Sequence, residues 1–131
     1  MIGLDTNVVV RYIMQDDPRQ ARPATELIES LTADAPGFVT LVSMAEIAWV
    51  LASAYGLTRI QVCQALEGLL RTQEILVERA EVVWRALRLF QSGGADFADG
   101  LIAHCSAAAG CERTMTFDRA AAKAGGMTLL A

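Results

Sequence analysis

The sequence predicts an α/β fold in which a five-stranded parallel sheet is covered by helices on both faces. Short apolar segments alternate with helical patterns along all 131 residues, an order typical of βαβ units. Hydrophobic residues make up 53% of the chain, which is enough for a large core. No repeat, linker or low-complexity segment interrupts the sequence, so residues 1–131 are interpreted as one domain.

The chain opens with a strand that leads directly into a helix. Ile2 and Leu4 predict a short buried strand with Asp5 at its carboxyl end. Thr6 or Asn7 is expected to cap the helix that follows. Ligands of open α/β sheets bind beyond the carboxyl ends of the strands, so Asp5 occupies a position where chemistry is expected. A lone acid there is, however, more often a turn or capping residue.

Two further helices and one strand follow before the middle of the chain. Asp17-Pro18 predicts a second helix, since proline is favoured just after the cap. Residues 38–42 are apolar and largely β-branched, which predicts the second strand. Ser43 with Glu46 three residues later fits a capping box for the third helix, which Gly56 ends.

The rest of the chain continues the alternation. Thr58 and Gln61 form a second capping box at the start of the fourth helix. Asp96 is predicted to open the sixth helix, and Asp118 is predicted to cap the small seventh helix. The remaining strands are predicted at residues 75–77, 113–117 and 127–130.

Composition predicts a cytosolic protein. No run of about 18 apolar residues is present, and no basic flank precedes an apolar stretch at the start, so neither a transmembrane helix nor a signal peptide is indicated. The cysteines are odd in number and lack C-x-x-C spacing, which favours reduced, mostly buried thiols over disulfides or a zinc site. They are Cys63, Cys105 and Cys111.

The charge balance does not decide whether the partner is a nucleic acid. The net charge of −4 argues against it, since nucleic-acid-binding domains usually carry a basic excess. All the basic residues except Lys123 are arginines, and guanidinium suits bidentate phosphate contact. Genome composition explains the same preference for arginine.

Several acids follow predicted strands or open helices, and each has a structural explanation. Glu46 completes the predicted capping box, and Asp96 and Asp118 are favoured helix caps. Asp99 adds negative charge where the helix dipole stabilises it. Taken singly, each is more often a cap than a member of an active site.

Taken together, the acids predict a metal site. Right-handed connections place the carboxyl ends of parallel strands at one edge of the sheet, so the carboxylates are expected to converge on one crevice. Like charges at close range repel, and such a cluster either holds protons or binds a cation. His104 is the only histidine, and oxygen ligands alone select a hard ion such as Mg²⁺ or Mn²⁺. A carboxylate-held Mg²⁺ suits phosphate chemistry.

As a set, four motifs resemble the PIN-domain nucleases, and most closely the VapC-type toxins of bacterial toxin–antitoxin pairs. The resemblance covers essentially the whole chain. It rests on Leu4-Asp5-Thr6-Asn7, on Glu46, on Asp96-Phe97-Ala98-Asp99-Gly100-Leu101-Ile102-Ala103 and on Thr116-Phe117-Asp118.

The resemblance implies a Rossmann-like fold, a Mg²⁺- or Mn²⁺-dependent endoribonuclease, an RNA substrate, a homodimer and a cognate antitoxin. It also implies roles for individual residues. The acidic quartet that binds metal would be Asp5, Glu46, Asp99 and Asp118, with Asp96 as an accessory acid and Asn7 and Thr116 orienting ligands or water. Gly100 departs from the family pattern, which more often has alanine there, and glycine costs up to about 1 kcal/mol of helix propensity.

Two alternatives come from classes without catalysis. A receiver-like signalling domain has a similar size and sheet, but it needs a lysine just after its last strand and an acidic pair after its first. Here Lys123 lies inside a helix and Asp5 stands alone. A PIN fold that has lost catalysis and serves as an RNA-processing or interaction module is the second alternative, and retention of all the acids argues against it.

Trp49 and Trp84 lie off the predicted inward faces of their helices. They are interpreted either as half-buried residues at helix seams or as a surface for a second subunit or an antitoxin helix.

Overall fold

The computed structural model of the chain describes all 131 residues and contains five strands and seven helices. The strands are β1 (Ile2–Gly3), β2 (Gly37–Val39), β3 (Ile75–Val77), β4 (Met115–Thr116) and β5 (Thr128–Leu129). The helices are α1 (Thr6–Met14), α2 (Pro18–Glu29), α3 (Leu41–Ser53), α4 (Arg59–Arg71), α5 (Ala80–Gln91), α6 (Phe97–Ala108) and α7 (Arg119–Ala124). The chain forms two compact units, Met1–Glu78 and Arg79–Ala131.

The strands confirm an α/β fold with parallel pairing, but they do not form a single five-stranded sheet. In the first unit the order is β1-β2-β3, with Ile2 opposite Gly37 and Gly37 opposite Ile75. In the second unit β4 pairs with β5, with Met115 opposite Thr128. Each strand has only two or three residues, so each pair of strands is joined by only a few hydrogen bonds.

The first unit is a small open sheet with its helices on one face. Both crossovers step in the same direction along β1-β2-β3, and right-handed crossovers of this kind place their helices on the same side of the sheet. In agreement, α1 contacts α2 and α3, and α3 contacts α4. The largest fully buried side chains of this unit are Met44, Ile47, Leu51, Leu66, Val9, Val39 and Val62.

Two predicted helix starts in this unit were wrong. Asp5 itself caps α1, because its Oδ1 accepts a hydrogen bond from the Thr6 N–H at 2.9 Å. The strand β2 ends at Val39, so α3 begins earlier than predicted, with Thr40 as its cap. The Thr40 hydroxyl accepts from the Ser43 N–H at 3.1 Å, and Ser43 is therefore a buried first-turn residue that forms no capping box with Glu46.

Other cap predictions were confirmed. Asp17 caps α2 ahead of Pro18, and its side chain accepts from the Arg19 N–H. Thr58 and Gln61 form both hydrogen bonds of the predicted capping box at the start of α4.

In the second unit α5 packs closely on α6, and Gly100 allows this approach. A Cβ atom at position 100 would lie 3.2 Å from the Ala86 Cβ and 3.3 Å from the Ala86 Cα. The rings of Phe90 and Phe97 meet edge to face, with centroids 6.2 Å apart. The glycine that departs from the family pattern is thus explained by helix packing.

The cysteines are free but not uniformly buried. Cys63 is buried, and burial raises the pKa of its thiol. Cys111 is exposed, so the prediction of mostly buried thiols was wrong for that residue. No helix has both the length and the apolar composition that crossing a membrane requires.

Candidate active site

Two acidic residues of the first unit, Asp5 and Glu46, form what we call the first acid group. Asp5 follows β1 and Glu46 lies in the second turn of α3, and both are exposed. The Thr6 hydroxyl joins them by donating to the Glu46 Oε1 at 2.7 Å, while the Thr6 N–H donates to Asp5. Glu46 takes no part in a capping box, so helix capping does not explain why an acid occupies this position.

Thr6 is the site residue that sequence reasoning missed. The sequence predicts it as a helix cap within the Leu4-Asp5-Thr6-Asn7 motif, whereas its hydroxyl donates to Glu46 and its N–H donates to Asp5. The available signal was its position, directly after an acid that ends a strand. Asn7, the predicted orienting residue, is exposed and lines the surface clefts on both sides of α1.

One of these clefts, the α1–α3 cleft, has a volume of about 420 Å³ and is lined partly by Thr6 and Asn7. Its far wall is fixed by a polar network. The Tyr55 hydroxyl donates to Asp16 at 2.8 Å and accepts from the Arg11 guanidinium at 2.7 Å. The hydrogen bond from Tyr55 lowers the pKa of Asp16, and the same contact raises the pKa of Tyr55.

Three acids of the second unit form what we call the second acid group: Asp96, Asp99 and Asp118. Asp99 lies in the first turn of α6 and is half-buried. Burial raises the pKa of the Asp99 carboxyl, and the nearby charges of Asp96 and Asp118 raise it further. Asp96 occupies the cap position of α6 without donating or accepting a side-chain cap hydrogen bond.

Asp118 is held at a defined position between β4 and α7. Its Oδ1 accepts from the N–H groups of Ala120 and Ala121, at 2.8 and 3.1 Å. The Thr116 hydroxyl accepts from the Asp118 N–H at 3.0 Å. Asp118 is therefore a helix cap as predicted, whereas Asp96 occupies the cap position of α6 without capping it through its side chain. Thr116 positions the backbone of Asp118.

The second acid group offers carboxylate oxygens, which are the type of ligand that a hard divalent cation prefers. A carboxylate whose charge is disfavoured by burial and by two like charges gains from a neighbouring cation. The carboxylate of Asp96 is not used for capping, so its oxygens are available as ligands. Neither unit alone gathers three or more His, Cys, Asp or Glu side chains that could hold a metal ion. Convergence of the two acid groups on one crevice stays a prediction.

Comparison with known proteins gives one family. The PIN domain family matches residues 2–127, which span nearly the whole chain. No curated protein matches the chain.

Proposed function

Since the chain belongs to the PIN-domain family, whose members are commonly metal-dependent nucleases, we propose that it is a cytoplasmic endoribonuclease of the VapC toxin type. On this proposal residues 1–131 act as one PIN domain that hydrolyses RNA phosphodiester bonds. The observation that carries it is the grouping of three acids, in which Asp96 and Asp118 lie close enough to the half-buried Asp99 for their charges to act on its carboxyl. A neighbouring cation would relieve the repulsion between these carboxylates.

The proposed metal ligands are Asp5, Glu46, Asp99 and Asp118, and Asp96 is an accessory acid. A bound Mg²⁺ or Mn²⁺ would lower the pKa of a water molecule and stabilise negative charge on the phosphate oxygens. The chain itself supplies orientation. Thr6 fixes the Glu46 carboxylate, Thr116 fixes the backbone of Asp118, and Asn7 lines the α1–α3 cleft.

The cleavage prediction is tested with purified protein and single-stranded RNA. Cleavage is expected with Mg²⁺ or Mn²⁺ and is expected to disappear in excess chelator, because the site has only oxygen ligands. Equal cleavage with and without chelator would contradict metal dependence. Absence of cleavage together with absence of metal binding would favour the alternative function, a catalytically silent PIN module for interaction or RNA processing.

The toxin part of the proposal has a separate test. Uncontrolled expression is expected to arrest growth, and co-expression of the small open reading frame next to the gene is expected to restore it by supplying the antitoxin. Normal growth despite abundant folded protein would count against a toxin. In that case a non-toxin PIN ribonuclease would remain, because RNA cleavage in vitro is measured independently.

A further inference from the structure

Phe117 exposes its ring beside an acid of the proposed site. It lies directly between β4 and Asp118, and 74% of its surface is exposed, more than that of any other large hydrophobic residue of the chain. Leaving a phenylalanine ring in water forgoes a substantial gain from burial. A ring in this position is therefore suited to contact a ligand.

The backbone on both sides of Phe117 is fixed by hydrogen bonds. The Leu130 N–H donates to the Thr116 carbonyl oxygen at 2.7 Å, which extends the β4–β5 ladder. On the other side the Asp118 N–H donates to the Thr116 hydroxyl at 3.0 Å, and Asp118 caps α7. Little backbone entropy is therefore lost when a ligand contacts the ring.

Exposed arginines flank the Phe117 segment in the chain, where the exposed acids Glu112 and Asp118 also lie. Arg113 precedes β4 and Arg119 begins α7, and both are exposed. Neither takes part in a salt bridge, whereas Arg11, Arg22, Arg71 and Arg79 do. Proteins that bind single-stranded nucleic acids combine such basic groups, which follow the phosphates, with aromatic rings on which bases stack.

We propose that Phe117 is a stacking platform for a base of single-stranded RNA, a positioning role that rests on the proposed ribonuclease function. The Cα atoms of Phe117 and Asp118 are about 3.8 Å apart across a trans peptide bond. The stacked base accordingly belongs to a nucleotide at or next to the phosphate that meets Asp118. Paired bases are stacked inside a duplex, so the platform selects single strands and loops. It tolerates any base, because every base has a π face.

The test measures binding of the whole protein to fluorescein-labelled oligouridylate and oligoadenylate, in chelator so that the RNA stays intact. Phe117→Ala and Phe117→Leu are each expected to weaken binding about 5- to 150-fold, the loss typical of one base–aromatic stack. Phe117→Tyr and Phe117→Trp are expected to bind like the wild type, because they keep a ring. Phe117→Leu separates stacking from simple apolar contact, since leucine is apolar but lacks a π face.

A matched control and a direct stacking signal accompany these variants. Ile60→Ala removes an apolar side chain of similar exposure, 71%, from α4, which contains no proposed ligand, and it is expected to leave RNA binding unchanged. A fluorescent adenine analogue in the RNA is expected to be quenched by the wild type and not by Phe117→Leu. With Mg²⁺ present, Phe117→Leu is expected to raise KM with little change in kcat, as loss of uniform binding does.

The possible results separate this proposal from the proposed function. If the wild type cuts RNA and folded Phe117→Leu binds it equally well, the platform is wrong and the ribonuclease stands. If Phe117→Leu changes the oligomeric mass while RNA binding is unchanged, the ring is a protein contact and the platform is again wrong. If the wild type neither binds nor cuts RNA, the ribonuclease function fails, and the platform fails with it.

Discussion

Asp99 is subject to two opposing effects. Its position in the first turn of α6 favours negative charge, because the helix dipole is positive there. Partial burial and the charges of Asp96 and Asp118 disfavour the ionised form and raise the pKa of the Asp99 carboxyl.

Replacing Asp99 with Asn therefore distinguishes a structural from a functional acid. Asparagine and aspartate are similarly tolerated at helix starts, so a purely structural role predicts a change in stability of less than about 1 kcal/mol. In the proposed site, removal of one repelling charge is expected to raise the melting temperature of the metal-free protein. Added Mg²⁺ is then expected to stabilise the variant much less than the wild type. RNA cleavage is expected to fall by orders of magnitude.

The measurements are melting curves with and without Mg²⁺ and an RNA cleavage assay on the same samples. Asp34→Asn is the control, because it makes the same chemical change at an exposed acid in the loop between α2 and β2. A variant of Asp99 that cleaves RNA and gains from Mg²⁺ like the wild type would show that Asp99 is only a helix-terminus residue.

At the residue scale, sequence was sufficient to locate the acids but not their contacts. Asp5, Asp96 and Asp118 lie at the predicted ends of strands and starts of helices. The hydrogen bond from Thr6 to Glu46 joins residues 40 positions apart, and it depends on how α1 and α3 pack. No local pattern encodes such a contact.

At the scale of elements, two helices contain an interior glycine for different reasons. Gly100 of α6 faces Ala86 of α5, and a Cβ added at Gly100 would lie in close contact with the Cα of Ala86. Gly68 of α4 has no atom within 4 Å of the position that a Cβ would occupy. The first glycine is required by packing, whereas the second only lowers the helix propensity.

The two glycine-to-alanine substitutions are therefore expected to have opposite effects on the free energy of unfolding. Gly68→Ala is expected to increase it by about 0.5–1 kcal/mol, because alanine is the better helix former and space is available. Gly100→Ala makes the same gain, but overpacking against Ala86 costs about 1–3 kcal/mol, so a net decrease is expected. Denaturant titration of both variants measures the difference. An increase for Gly100→Ala would show that α5 and α6 can separate without cost.

Element boundaries were predicted less well than element order. The apolar β-branched pattern of residues 38–42 predicted a strand, yet the strand is Gly37–Val39 and α3 already begins at Leu41. Thr40 is both β-branched and a good cap, and the capping hydrogen bond to the Ser43 N–H decides the competition. Likewise residues 113–117 were predicted as a strand, but only Met115–Thr116 pair with β5.

At the scale of the whole molecule, alternation of strands and helices was predictable, whereas the strand pairing was not. Parallel strands follow from helical crossovers, which are visible in the sequence. Which strands share hydrogen bonds depends on contacts between distant segments, and the result is a three-stranded sheet and a separate two-stranded ladder. The close packing of α5 on α6 was also not predicted from the sequence, although a glycine inside a helix, Gly100, is consistent with such packing.

One helix, α3, exposes two large hydrophobic side chains on its surface. Val42 and Trp49 lie two helical turns apart on α3, and each is 70% exposed. Trp84, by contrast, is half-buried with the Arg88 guanidinium 6.0 Å from its ring centroid. Trp49 is therefore the tryptophan suited to anchor an interface, since aromatic residues dominate the binding energy of protein contacts. We propose that Trp49 anchors the homodimer contact in the C-terminal half of α3, which leaves Glu46 in the preceding turn to the proposed metal site.

Placing a charge on this face is expected to separate the subunits. Trp49→Glu removes the aromatic anchor and buries an unpaired carboxylate in the contact, so the mass in solution is expected to fall to that of one chain. Ile102→Glu is the control, because it places the same charge on an exposed apolar position of α6, where no contact is proposed. Light scattering after size exclusion measures both masses, and circular dichroism shows whether each variant is folded.

A wild type that is already monomeric would contradict the homodimer. A folded Trp49→Glu dimer would place the contact elsewhere on the surface, and loss of the dimer in both variants would show that the contact is not confined to α3.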